Sequence, residues 1–271
     1  MSAATASQVG RKGPRSASHQ RRSDSGILAE PRSWSPSWES QSYLLKKALT
    51  REKLRYDGAH YTLPLPLGPG KALQLTVHPV REKISIYLAA VGPKNLELTG
   101  EIADGWLAIF FSSEFSAESL ASVRAGRERV GKTMDGFDVV PTVPLVVGED
   151  WKACADPVRA YTALYVGGMG SRKQNFYNDL MVRMGFPAEA AEIQEKYLSR
   201  DYAGAMAAIP LEFLDATALL GPKERLVDKM KALAAAGVTT LSVSLMGQDF
   251  EQGIVSLRAV TDALDVSGVG S

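Results

Sequence analysis

Hydrophobic periodicity is absent from the first stretch of the chain. "RKGPRSASHQRRSDSG" alternates Arg, Ser and Gly with almost no apolar position. Such a segment buries too little surface to offset its ordering entropy, which predicts a disordered tail over residues 1–38 and a folded domain over 39–271. The pattern then turns helical. In "ESQSYLLKKALTREKLRY", Leu44, Leu45, Leu49 and Leu54 fall on one face with Lys and Arg opposite, the spacing of an amphipathic helix. "DGAHYTLPLPLGPG" predicts a turn and an extended proline-rich loop.

From Ile84 onward the period switches repeatedly between short apolar runs and helical spacing. "ISIYLAA" reads as a strand, and "PKNLELTGEIA" as a helix with Pro93 in its first turn. "GWLAIFF" is a wholly apolar strand. "SAESLASVRAGRERV" is a helix with Ser116 as its N-cap. "FDVVPTVPLVV" is a strand interrupted by two prolines. "TTLSVSL" is a fourth strand, between the helices "PKERLVDKMKALAAAG" and "FEQGIVSLRAVTDAL". Apolar strands alternating with amphipathic helices imply a parallel sheet covered by helices. A complete eight-stranded β/α barrel takes roughly 250 residues, and only about four units are visible. The predicted fold is therefore α/β: a partial (β/α)8 TIM-type barrel with a helical insertion from about Trp151 to Leu219.

Composition narrows the function. A net charge of +1 argues against a nucleic-acid binder. Cys154 is the single cysteine, which fits a reducing, cytoplasmic setting. No apolar run reaches the roughly 18–20 residues of a membrane helix. His19, His60 and His78 are scattered, so no metal site is expected.

Two Gly-Pro-Lys tripeptides stand out. Gly92-Pro93-Lys94 follows the strand "IYLAA" and opens a helix, at the strand end where barrels bind ligands. The free amides of a first helical turn favour an anion. Ala89, Ala90, Val91, Gly92, Pro93 and Lys94 are accordingly the candidate cofactor-binding residues. Gly221-Pro222-Lys223 follows the helical run "EFLDATALL" and reads only as a helix start. Phe110 and Phe111, at the end of their strand, are candidate substrate-pocket residues. "YVGGMGSRKQ" (Tyr165–Gln174) lacks dinucleotide spacing and reads either as an anion-binding nest or as a helix–helix turn with a solvated basic pair. Glu101 and Asp104 fall at the opposite, stability end of the sheet, and His78 reads as a loop residue.

Four long strings, "YDGAHYTLP", "TVHPVREKISIYLAAVGPKNLELTGEIADGWLAIFFS", "LYVGGMGSRKQNFYNDLMVRMGF" and "LLGPKERLVDKMKALAAAGVTTLSV", resemble the luciferase-like monooxygenase superfamily. The likeness is to its coenzyme F420-dependent oxidoreductases. It runs from about Tyr56 to Leu264 and covers only the family's C-terminal half. The resemblance implies a β/α barrel, usually dimeric, that moves a hydride between coenzyme F420 and a small organic substrate. Relatives that use FMN are the alternative. No position matches a family catalytic residue, so none is assigned. A truncated and impaired enzyme is expected, or a non-catalytic fragment serving as a dimerisation or interaction module. The open edges of half a barrel lead to the expectation of a homo-oligomer.

Overall fold

The computed structural model describes residues 36–270, apart from 82 and 248. The expected tail therefore lies, up to residue 35, outside the described residues. Helix α1 (Pro36–Leu49) begins three residues before the anticipated boundary. It ends sooner than its periodicity suggests. Arg51 adopts φ 60°, a left-handed backbone that cannot continue a helix. Beyond it Leu54 bonds through its amide to the Leu73 carbonyl. Leu45, expected on the buried face, is exposed. The proline-rich stretch contains a two-residue hairpin, β1 (Tyr56–Asp57) with β2 (Thr62–Leu63).

Four parallel strands form the body of the sheet. They are β3 (Tyr87–Ala89), β4 (Gly105–Ile109), β5 (Asp138–Val147) and β7 (Ser242–Leu245), paired in the order β3-β4-β5-β7. Strand β3 is shorter than the run "ISIYLAA". Strand β5 is continuous through both prolines, contrary to the expected interruption. Alternate residues of a strand send their N–H groups to opposite edges. The Asp138 and Gly148 amides bond to Asp104 and Gly221, whereas the Val139 and Leu145 carbonyls accept from Thr239 and Met246 on the other side. Even positions of β5 thus face β4, and odd positions face β7. Pro144 falls between the last residue paired with β4, Thr142, and the first paired with a short rim strand, β6 (Leu219–Gly221), at Leu145. No N–H is required there. Pro141 precedes the start of the β7 register at Thr142.

Helices α2 (Pro93–Ile102), α3 (Ala117–Arg129), α9 (Lys223–Ala235) and α10 (Phe250–Ser267) cover one face of this sheet. Trp106, Val139, Val143, Leu145, Leu96 and Leu226 form the core between them. The insertion after β5 packs a second core of its own. It comprises α4 (Asp156–Ala163), a π-helical turn (Leu164–Gly168), α5 (Phe176–Arg183), α6 (Pro187–Leu198), α7 (Tyr202–Ala207) and α8 (Leu211–Thr217). Met181, Ile193, Phe213 and Leu220 sit at its centre. The sheet is an open arc rather than a closed barrel: among the described residues, neither β3 nor β7 has a second strand partner.

Candidate functional site

At the C-terminal ends of β3 and β4, α2 and α3 begin side by side above the sheet. Helix α2 starts at Gly92, whose φ of −82° and ψ of 150° are extended, with Pro93 as its first residue. The first intrahelical bond runs from the Leu96 amide to the Gly92 carbonyl at 3.0 Å. The Lys94 and Asn95 amides therefore have no intrahelical acceptor. Two side chains fix the loop that presents them. Trp106 Nε1 donates to the Ala90 carbonyl at 2.9 Å, and Arg183 Nη2 of α5 donates to the Val91 carbonyl at 3.1 Å. With both carbonyls occupied, the loop holds its amides at a defined place on the rim. A Cβ added at Gly92 would meet nothing within 4 Å. The fold does not require glycine there, and the space above it is open.

Beside this turn lies an open cleft with about 350 Å³ of empty space, solvent included. Ala90, Val91, Trp106, Phe110 and Phe111 line it, together with Ser112 from the loop after β4 and Ser116 and Ser119 from the start of α3. Leu180 and Met184 close it from the insertion. Of the residues singled out in the sequence, Ala90, Val91, Phe110 and Phe111 meet in this cleft. Gly92, Pro93 and Lys94 follow directly on Val91 but do not line the cleft, nor does Ala89, the last residue of β3. Ser116 occupies the N-cap position of α3, but its hydroxyl makes no capping bond. Ser116 was legible only as a cap, and Ser112 and Ser119 went unremarked, because serine at a helix start ordinarily does no more than cap it. Their convergence on one cleft is a tertiary fact.

Phe110 has φ 50°, a costly conformation for a bulky residue. It reverses the alternation of the strand. Phe111 consequently falls on the same side as Trp106, edge-on at 6.0 Å, whereas Phe110 enters the insertion core. There its ring lies 5.8 Å from Tyr161 and 5.4 Å from Phe213. Phe110 and Phe111 are 3% and 4% exposed, so each reaches the cleft with an edge while serving mainly as core. Burial, followed by Tyr165 and Tyr177, pushes the Tyr161 hydroxyl up to about 12.

The second Gly-Pro-Lys corrects the sequence reading. It does follow a strand, β6, and Gly221 adopts φ 108°. A Cβ there would come within 2.9 Å of Trp151 Cβ and 3.0 Å of Arg225 Cδ. Glycine is structurally required at 221 and not at 92. Behind it Arg225 lies over the Trp151 ring, 4.5 Å from carbon to centroid, and reaches Asp215 at 2.7 Å. Lys229 meets the same carboxylate at 2.8 Å. Burial opposes ionisation of Asp215, but Lys229 and Arg225 together hold its carboxyl below the usual range.

The remaining candidates are structural. In "YVGGMGSRKQ", Gly167 and Gly168 admit the Tyr197 ring, and Arg172 pairs with Glu195. This is a helix–helix turn rather than an anion nest. Glu101 pairs with Arg129 at 3.0 Å, and Asp104 accepts the Ile86 amide at 2.9 Å, both at the N-terminal end of the strands. His78 contacts Arg51 on an exposed loop. Among the described residues no cluster of His, Cys, Asp or Glu could hold a metal ion, and no helix is long and apolar enough to cross a membrane.

Known proteins place this geometry. A Mycobacterium tuberculosis protein named "Putative coenzyme F420-dependent oxidoreductase" is 35% identical over 193 residues, 69% of this chain and 56% of its own. The solved coenzyme F420 dependent tetrahydromethanopterin reductase from Methanopyrus kandleri superposes with a TM-score of 0.63 at 22% identity, covering 80% of this chain and 59% of that one. A riboflavin lyase solved with modified FMN gives 0.56 at 11% identity over 81% of this chain and 50% of its own. The last two likenesses establish the fold. The chain spans about half the length of the curated relatives it matches. Residues 43–240 match the luciferase-like monooxygenase family model, and the chain belongs to that family.

Proposed function

We propose that the chain belongs to an oxidoreductase that moves a hydride between coenzyme F420 and a small organic substrate, and that its described residues hold the cofactor's anionic tail. The observation carrying this reading is that one cleft is lined both by Val91, directly before the helix start at Gly92, and by Ser116, the N-cap of α3. Free first-turn amides and the helix dipole favour negative charge. The unobstructed space above Gly92 fits a phosphate lying against the backbone. Coenzyme F420, when bound, supplies a two-electron hydride carrier at its ring. The residues here bind and orient. Among the described residues the cleft is lined by hydroxyls and apolar groups, with no carboxylate or histidine.

Affinity for the chain by itself is expected to be low. Each helix start contributes about 0.3–1 kcal/mol, whereas association costs roughly 4–15 kcal/mol. A fluorescence titration with coenzyme F420 and, separately, FMN tests the reading. Weak saturable binding of coenzyme F420 is expected, abolished in Gly92→Val without loss of helical circular dichroism. Tighter binding of FMN would transfer the same site to the flavin-dependent branch, a reading that the shared fold with an FMN-bound lyase supports. Equal binding by wild type and Gly92→Val would place the tail elsewhere.

A further inference from the structure

Toward the C-terminal rim the second face of the sheet packs on the insertion through Ile109, Val146 and Met246, but below them it is left partly open. Helices α2, α3, α9 and α10 pack on one side only. On the other, Leu107 at the middle of β4 is 40% exposed and Tyr87 on β3 is 36% exposed. Tyr87 lies flat across Gly105, its hydroxyl on Asp138 at 2.5 Å. The register places Tyr87, Ala89, Leu107, Val140, Ser242 and Ser244 on this face, exposed along β3 and β4 and closed at Val140 of β5, which is 8% exposed. Both edge strands, β3 and β7, lack an outer partner among the described residues. Parallel sheets are ordinarily buried on both faces, and open strand edges invite pairing.

We infer that the occupant of this face is a second copy of the chain, and that two copies close one eight-stranded barrel. Four parallel strands per copy give the eight that a β/α barrel needs. The two edges differ: β3 of one copy would pair with β7 of the other, and β7 of the first with β3 of the second. A two-fold axis along the barrel keeps every strand parallel and makes the interface self-complementary. Leu107 then faces its own counterpart across the axis.

The flanks of the two edges also complement each other in charge. Residues 36–55, whose Lys46 reaches the Ile102 carbonyl at the base of the neighbouring β4, carry five Lys or Arg and two Asp or Glu. Helix α10, which follows β7, carries with its cap Asp249 four acidic residues and one basic, Arg258. The face alone is small: five residues at about 3.3 Å by four strands at about 4.8 Å is roughly 300 Å². A stable interface takes about 800 Å² per partner. The helical layers must supply the rest, and Leu245, Val255 and Val266 are exposed on the β7 side. Residues 1–35 are a poor alternative cover. They hold six Lys or Arg, two Asp or Glu and few large apolar groups.

Light scattering after size exclusion, with paired-cysteine cross-linking, tests the closure. The expected mass is twice the 29.2 kDa of the chain. Leu107→Asp should halve that mass and keep the far-ultraviolet spectrum, because Leu107 is half-exposed within one copy. Phe176→Ser, on exposed α5 of the insertion, should leave the dimer unchanged. Cys154, the one native cysteine, is buried and gives a low background. A short thiol-bridging reagent should join Ala89→Cys copies to Ser244→Cys copies when the two are mixed, and neither variant to itself. That cross-link decides the matter even if Leu107→Asp misfolds. A monomer, a polydisperse aggregate, or a dimer without the mixed cross-link would overturn the proposal.

Discussion

Gly221→Ala should destabilise the protein far more than Gly92→Ala, although both glycines open a Gly-Pro-Lys helix start. At Gly221 the φ of 108° lies in glycine territory, and an alanine methyl would press on Trp151 Cβ at 2.9 Å. Strained backbone of this kind costs about 1–3 kcal/mol. Forcing a methyl into a packed contact adds roughly 1–3 kcal/mol. Relaxation of the Arg225 side chain relieves part of this, which leaves about 2–4 kcal/mol. At Gly92 the backbone is already extended and the methyl meets nothing within 4 Å. Alanine is a poorer N-cap than glycine, but it reduces the entropy of the unfolded chain by about 0.4–1 kcal/mol. The two effects nearly cancel. Urea unfolding followed by circular dichroism measures the difference. Gly221→Ala should lower the midpoint with an unchanged slope, while Gly92→Ala stays close to wild type. Equal midpoints, or a larger loss at Gly92, would refute the assignment of one glycine to the fold and the other to open space.

Trp106→Phe removes the donor to the buried Ala90 carbonyl and should cost about 1–3 kcal/mol in thermal unfolding, with weaker cofactor binding as the loop loosens. Asp215→Asn leaves Lys229 and Arg225 without their shared counter-ion and should destabilise by about 1–3 kcal/mol, discounted for partial exposure. The carboxyl of Asp215 titrates below its ordinary value, so its contribution is complete above about pH 4 and is lost as pH falls through the folded value. Acid unfolding of wild type and Asp215→Asn should therefore converge at low pH. Burial raises the Cys154 thiol, and thiol reagents at pH 8 should label it slowly in the native protein and fast in denaturant.

The order of strands and helices from Ile84 onward was legible in the chain, because helix and strand periods differ and each apolar run is bounded by Gly, Pro or Asp. The helical insertion and the Pro93 helix start were legible for the same reason. Boundaries were less so. The hydrophobic pattern of "ESQSYLLKKALTREKLRY" continues past Leu49, but the left-handed Arg51 stops the helix. Strand β6 was hidden inside a helical run because its three residues, Leu219 to Gly221, earn their conformation from pairing with the distant Leu145–Val147.

The candidate site divides in the same way. Ala90, Val91, Phe110 and Phe111 could be named from their place at strand ends, a local property. The three serines lie within one short stretch, Ser112 to Ser119, but their lining of a cleft with Ala90, Leu180 and Met184 is not written there. The clamping of the loop by Trp106 and Arg183 joins distant residues, and the reversal at Phe110 arises from packing. The tripeptide Gly-Pro-Lys shows the limit most clearly: its helix-starting role is written in the residues themselves. Whether its glycine is free for a ligand or locked by φ and by Trp151 depends on what the folded chain brings against it, and only the tertiary structure decides that.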